Sequence, residues 1–320
     1  MKARILFIAT LATVSAGVLP AVDPHLLGLV MPDAKVLAGV NVVSAKNSPF
    51  GQYVLAQIAP NQELQRMAAL TGFDPTQDLI EILAASNGVP GSHTGLALAT
   101  GTFNTSAILA AATMAGATSE TYNGANVIED PNAKNGPGGI AFLGSTIAIA
   151  GDLADVKAAI DRQSNPSKID SGLSSQANLL SAGEDAWAVS IIGPPALAVQ
   201  APSKGTGGGS GTVLPATALQ EIVSGNAGVK FGTNVVVTAQ AQADNAQDAT
   251  TLAGMIQLLA NMAKLQADKN PAAASLANGL TISSSGVNIN ISFTVPQSQL
   301  QQLMAQPHAA PRAGRGLHKK

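Results

Sequence analysis

Few residues of this sequence have the type and spacing that acid–base catalysis needs. His93 stands in a predicted loop over residues 87–94 and could act as a general base, with Asp74 or Asp78 as the partner carboxylate. These three residues define one functional hypothesis, a secreted hydrolase, which requires their side chains to converge in one pocket. Each of them also has a structural interpretation, because a lone loop histidine is usually solvated and Asp74 stands where it can cap a helical turn.

The sequence carries no pattern typical of a metal or cofactor site. The histidines are His25, His93, His308 and His318, and none has a partner at metal-ligand spacing. Asp74, Asp78 and Glu81 form the one notable acidic grouping, in which we interpret Asp74 as a cap and Glu81 as an outward residue of a strand. In the glycine-rich run 205–211 Lys204 precedes the glycines, whereas the lysine of a phosphate-binding loop follows them. We therefore assign no catalytic, cofactor-binding or metal-binding residue.

The composition excludes several classes of protein. The 320 residues are 46% hydrophobic and 11% charged, which is ample apolar material for two ordinary domains. A formal net charge of −2 and an aromatic content of 3% argue against nucleic-acid binding, since there is neither a basic field nor a set of stacking platforms. The absence of cysteine excludes disulfides and thiolate chemistry, so the fold depends on its core alone.

The first residues have the order of a secretory signal peptide. Lys2 and Arg4 precede an apolar run over residues 5–14, and small residues follow. We expect residues 1–21 to be removed and the mature chain, without an integral membrane span, to be periplasmic or extracellular. The less favoured interpretation is an uncleaved N-terminal anchor over residues 5–22, which Gly17 and Pro20 argue against.

Hydrophobic periodicity predicts an α+β protein made of two similar units. In the first unit, residues 29–165, two strands lead into a helix over residues 105–114. In the second unit, residues 176–305, two strands lead into an amphipathic helix over residues 247–264. We expect each unit to be an antiparallel sheet with helices mainly on one face. The Ser-, Asn-, Pro- and Gly-rich run 164–175 separates them, and the basic tail 306–320 is predicted to be disordered.

Turn and cap residues predict several element boundaries. Asn123-Gly124 is a two-residue hairpin signal. Ser48, Asn104 and Asp152 are predicted helix caps, and Asp74 is predicted to form a capping box with Gln77 around Pro75. A short helix is also predicted over residues 216–223, between a strand at 186–192 and one at 228–231.

Five segments of the chain carry a family resemblance: MPDAKVLAGVNV, NSPFGQYVL, TGFDPTQDLIEILAAS, GTFNTSAILAAA and AFLGSTIAIAGDLADVKAAID. They resemble a group of uncharacterised exported bacterial proteins that share a Gly-Phe-Asp-Pro-x-x-Asp-Leu turn and a late Gly-Asp-Leu-x-x-Val-Lys-Ala-Ala-Ile-Asp helix. The likeness covers residues 29–162. It implies export and a duplicated α+β fold, and it carries no catalytic residue.

Three functional hypotheses follow. The first is an exported, non-catalytic protein of the cell envelope, with a binding or structural role and a groove between the two units as its candidate site. The second is the hydrolase built on His93 with Asp74 or Asp78. The third is a carrier of an apolar ligand that uses faces lined by methionine and leucine.

Overall fold

The chain is an α+β protein built on one antiparallel sheet. The computed structural model describes residues 21–89, 94–130, 137–193, 220–265 and 277–305. The strands are β1 (Val36–Asn41), β2 (Leu79–Ser86), β3 (Gly95–Gly101), β4 (Thr118–Tyr122), β5 (Ala125–Asp130), β6 (Gly138–Leu143), β7 (Ile147–Asp152), β8 (Ala186–Ser190), β9 (Ile222–Lys230), β10 (Asn234–Ala243), β11 (Leu280–Ser285) and β12 (Asn288–Pro296). The helices in these ranges are α1 (Pro24–Leu29), α2 (Val42–Asn47), α3 (Pro49–Ile58), α4 (Gln62–Thr71), α5 (Pro75–Asp78), α6 (Thr105–Met114), α7 (Leu153–Asp161), α8 (Ser171–Gly183), α9 (Ala246–Leu265) and α10 (Gln297–Ala305).

The twelve strands of the described residues form a single sheet in the order β11-β12-β10-β9-β8-β1-β2-β3-β7-β6-β5-β4. The strands of the two predicted units therefore do not form separate sheets. They meet at the centre, where β1 pairs antiparallel with β8 and Ala38 lies opposite Ala188. Sequence periodicity identifies strands but not their partners, so this long-range pair was not predictable.

Helices cover both faces of the sheet, not mainly one as expected. On β7, Ile149 packs in a core with α7 and α8, while its neighbour Ala148 packs with α6. Successive residues of a strand point to opposite faces, so α6 lies on the face opposite to α7 and α8. We call the α7–α8 side the first face and the α6 side the second face. Helix α9 packs on the second face, over Ile289 and Ile291 of β12.

Local turn chemistry confirms several predicted boundaries. Asn123 and Gly124 adopt φ values of 46° and 82°, as a two-residue hairpin turn requires. Ser48 Oγ accepts a hydrogen bond from Gly51 N–H (2.9 Å) at the start of α3. Asn104 Oδ1 accepts one from Ala107 N–H (3.2 Å) at the start of α6. Asp152 occupies the N-cap of α7 but makes no side-chain capping bond there.

Other predictions were wrong or fall outside the described residues. Helix α8 begins at Ser171, inside the run 164–175 that was predicted to separate the two units. Ile222 and Val223, predicted as the end of a helix, begin strand β9. Residues 1–20 of the predicted signal peptide (residues 1–21), the glycine-rich run 205–211 and the tail 306–320 lie outside the described residues.

Candidate functional site

Asp74 and Asp78 are engaged with each other and with the turn that contains them. Asp74 Oδ1 accepts hydrogen bonds from Thr76 N–H (2.9 Å) and Thr76 Oγ1 (2.6 Å) at the start of α5. The Thr76 hydroxyl and backbone bonds hold the pKa of Asp74 below its ordinary value. Asp78 Oδ2 accepts from Asp74 N–H (2.7 Å), so Asp78 completes the cap and not Gln77 as predicted. Gln77 instead donates to Asp74 Oδ2 (3.2 Å).

These carboxylates lie at the far end of β2 from Thr94, the described residue next to His93. His93 itself lies outside the described residues, but Gly95 pairs with Ser86 at one end of β2, and Gly101 pairs with Leu79 at the other. Leu79 and Ser86 are seven residues apart in β2, a span of about 23 Å. Asp78 immediately precedes Leu79, and Thr94 immediately precedes Gly95, the partner of Ser86. Asp78 and Thr94 therefore lie near opposite ends of the strand.

Glu81 does not point outward as the sequence suggested. It pairs with Asn41 and Thr100, on the same face of β2 as the buried residues Leu83 and Ala85. Burial raises the pKa of Glu81, although its carboxylate accepts a hydrogen bond from Asp23 N–H (3.3 Å). Glu81 is thus a partly buried acid at one end of the core on the first face.

Asp185 is the most deeply buried acidic residue of the described chain, and no motif in the sequence indicates it. Its carboxylate accepts hydrogen bonds from the Ser44 hydroxyl, from Lys230 Nζ (2.9 Å) and from Phe231 N–H (2.7 Å). Burial alone would raise its pKa, but these three donors outweigh that effect and hold the pKa below its ordinary value. Because α2, β8 and the end of β9 converge on this side chain, its role is to hold the two halves together.

A row of alanines crosses the centre of the second face. The row consists of one alanine from each of seven neighbouring strands, each opposite the next: Ala239, Ala227, Ala188, Ala38, Ala84, Ala97 and Ala150. Ala84 and Ala97 are exposed, so none of the described helices covers this part of the sheet. Small side chains on successive strands leave an open apolar floor between α9 on one side and α6 on the other.

The part of this floor over β1, β8, β9 and β10 forms a concavity, the central groove, with a volume of about 290 Å³. Its lining includes Val36, Ala188, Ile192, Ile222, Ala227 and Ala239. Among the described residues that line it there is no acidic, basic or histidine side chain. At one end Gly88 approaches Ile192 so closely that a Cβ at position 88 would lie 2.1 Å from Ile192 Cδ1.

A second concavity of about 530 Å³ lies between α1 and the end of α7, beside Arg162. The Arg162 guanidinium donates to the Leu29 carbonyl (3.0 Å), and burial lowers its pKa. The charges of Asp155 and Asp33 act on the same guanidinium. Arg162 is therefore already engaged with the fold, and we place the candidate site in the central groove.

Neither a metal-binding cluster nor a membrane-spanning helix is present among the described residues. No group of three or more histidine, aspartate or glutamate side chains in these ranges could hold a metal ion. None of the helices in these ranges is both long enough and apolar enough to cross a membrane.

Comparisons with known proteins identify a fold relative. No protein-family model matches the chain, and no curated protein does. Among solved structures, the chain is similar to TP0453 in its crystal form I, with a TM-score of 0.52 and 12% sequence identity. The similarity covers 89% of this chain and 98% of that one. At this identity it concerns the fold alone.

Proposed function

We propose that this chain is an exported, non-catalytic binding protein of the cell envelope, with its ligand in the central groove. One observation carries the proposal: the groove lies where the two halves of the sheet meet, its described lining is uncharged, and alanine and isoleucine side chains make its surface largely apolar. General acid–base catalysis needs a titratable group within hydrogen-bond reach of the reacting atom. The described residues that line the groove offer none, whereas an open apolar concavity is what binding requires.

The proposal of export rests on the N-terminal sequence. Lys2 and Arg4 followed by an apolar run and small residues favour a cleaved signal peptide and a periplasmic or extracellular location. The uncleaved anchor over residues 5–22 remains the alternative, and it would hold the same groove at a membrane surface.

The hydrolase hypothesis receives less support. Asp74 and Asp78 form a helix cap and lie at the opposite end of β2 from Thr94, the described residue next to His93. A catalytic set needs its members within hydrogen-bond reach or one water apart.

The second candidate function, a carrier of an apolar ligand, is favoured by the chemistry of the groove itself. Ala188, Ala227 and Ala239 form a smooth floor, and Ile192 and Ile222 form apolar walls. An unbranched alkyl chain would bury its methylene groups there at about 0.8 kcal/mol each. No charged or amide head group is required for this contact.

The proposed duplication of the chain is supported by strand order. The first half contains the order β1-β2-β3-β7-β6, and the second half contains β8-β9-β10-β12-β11. A helix follows the third strand in each half, α6 after β3 and α9 after β10. The hairpin β4–β5 is then an addition to the first copy, and the groove lies over the pseudo-twofold junction between the copies.

The proposal is tested with the mature chain, residues 22–320, purified from its own host. Native mass spectrometry should detect a co-purified apolar molecule, and a fluorescent alkyl probe should bind saturably with one site per chain. A broad hydrolase panel should show no turnover. Turnover that is lost in His93→Ala would overturn the proposal in favour of the hydrolase. Absence of both co-purified ligand and saturable probe binding would exclude the carrier.

A further inference from the structure

The two outer strands of the sheet differ in how well they are protected. Glu120 on β4 forms an ion pair with Lys157 Nζ (2.6 Å), and Lys157 also lies over the Tyr122 ring, 5.4 Å from its centroid. Strand β11, with the sequence LTISSS, has no charge and no proline, and its register with β12 is free of bulges. Charges, prolines and bulges are the devices that keep an edge strand from pairing with another chain. In the described ranges, β11 has none of them and no strand pairs with its outer side.

We propose that β11 pairs antiparallel with β11 of a second copy of the chain, so that the sheet continues across a twofold dimer. The chain already contains one junction of this kind, because β1 and β8 join its two halves by antiparallel pairing about Ala38 and Ala188. Because β11 carries no charged side chain, the β11 strands of two copies can pair without repulsion between like charges. This interface is separate from the central groove.

The backbone of β11 determines which residues would pair. Thr294 N–H on β12 donates to the Gly279 carbonyl (3.2 Å), just before β11 begins. Backbone groups of an antiparallel strand point alternately to its two neighbours. Leu280, Ile282 and Ser284 therefore direct their N–H and C=O groups to the open edge.

The backbone pattern selects the register. A twofold axis at Ile282 pairs all three residues that face the open edge, because Ile282 then lies opposite its own copy and Leu280 lies opposite Ser284. It also continues the apolar row of Ile291 and Ile282, on the face covered by α9, across the dimer. An axis at Thr281 or at Ser283 would leave Ser284 or Leu280, respectively, without a partner inside β11. With the axis at Ile282, Thr281 lies opposite Ser283 of the second copy.

Helix α9 packs over β11 and β12 and would accompany these strands to the dimer interface. Its exposed Leu258 stands nine residues after the buried Ala249, which places Leu258 on the side of the helix turned away from the sheet. A six-residue strand pair is a small interface by itself, since specific interfaces bury about 1,200–2,000 Å². In the dimer the two α9 helices would lie side by side above the joined strands.

The register is tested by cross-linking, which is unambiguous because the chain has no cysteine of its own. Thr281→Cys and Ser283→Cys proteins are prepared separately and also mixed, and disulfide formation is followed under mild oxidation. Both positions are exposed. Directly opposite residues whose Cα atoms lie about 4.5–5.5 Å apart suit a disulfide. The mixture should cross-link at least tenfold faster than either protein alone.

Two controls distinguish this pairing from random collision. A mixture of Ser119→Cys and Thr121→Cys proteins, on the β4 edge, should cross-link slowly. In sedimentation equilibrium, Ser283→Lys should shift the chain to the monomer, and Ser119→Lys should leave the dimer intact. Equal cross-linking rates for the mixture and the single proteins, or a wild-type chain that is monomeric at high concentration, would overturn the proposal. Dimerisation that Ser283→Lys leaves unchanged would assign the interface to another surface.

Discussion

Gly39 of β1 lies directly against the indole ring of Trp187 on β8, its cross-strand partner. A Cβ at position 39 would be 2.4 Å from Cζ2 of Trp187, and Trp187 is 5% exposed. The pair sits where the two halves of the sheet join, so the missing side chain at position 39 is what allows the indole to cover the junction.

Gly39→Ala should therefore destabilise the chain by about 1–3 kcal/mol, because the indole must move out of its packed position. Urea unfolding followed by the fluorescence of Trp187, the single tryptophan, measures the change. Gly254→Ala on α9 is the matched control, since nothing lies within 4 Å of its added Cβ. The control should be neutral or slightly stabilising. Equal effects of the two substitutions on stability would show that the packing of the Trp187 indole does not require a glycine at position 39.

Much of this fold could be predicted from local sequence patterns, but the pairing of distant strands could not. The turn at Asn123-Gly124 and the cap at Asn104 are decided by residues within four positions, so the sequence indicated them. The β1–β8 pair joins residues about 150 positions apart, and no local pattern specifies it. The groove is hidden for the same reason, because Ala38 and Ala227 become neighbours of Ala188 only through strand register.

Asp185→Asn should lower stability at neutral pH by about 2–3 kcal/mol, because a charged acceptor for three donors is replaced by a neutral amide. The folded-state pKa of Asp185 is depressed, so its contribution is present above the unfolded pKa and is lost as pH falls through the folded value. The wild-type chain should thus lose stability in acid more steeply than the variant. Chemical denaturation across the acid range measures both slopes. Asp244→Asn, at an exposed position, is the control and should leave the slope unchanged.

The effect of Glu81→Gln on stability at neutral pH should be opposite in sign to that of Asp185→Asn. Burial raises the folded-state pKa of Glu81, so ionisation costs stability as pH rises from the unfolded pKa through the folded one. The variant carries no charge there and should be more stable than the wild type at neutral pH. Below the unfolded pKa the two proteins should converge, because the wild-type carboxyl is then protonated in both the folded and the unfolded state. A variant that is less stable at neutral pH would show that the bond to Asp23 N–H outweighs the cost of burial.

Ser48→Ala should cost about 1–2 kcal/mol, since Ser48 is 7% exposed and joins α2 to α3. Its hydroxyl accepts from Gly51 N–H (2.9 Å) and donates to the Ala45 carbonyl (2.6 Å). Asp152→Ala is the comparison, because Asp152 occupies an N-cap without a side-chain capping bond. The difference between the two variants in urea unfolding isolates the hydroxyl bonds. Similar losses in both would mean that cap position matters more than the observed bonds.

Ala188→Leu should block the central groove and leave the fold intact. Ala188 lies on its floor, and the three added carbons would occupy space that the ligand needs. We expect the affinity for a fluorescent alkyl probe to fall at least tenfold, about 1.4 kcal/mol. Ala84→Leu is the matched control, because Ala84 belongs to the same alanine row and is exposed, but it does not line the groove. Circular dichroism checks that both variants are folded. If Ala84→Leu weakens probe binding as much as Ala188→Leu does, the probe lies across the open sheet face and not in the groove.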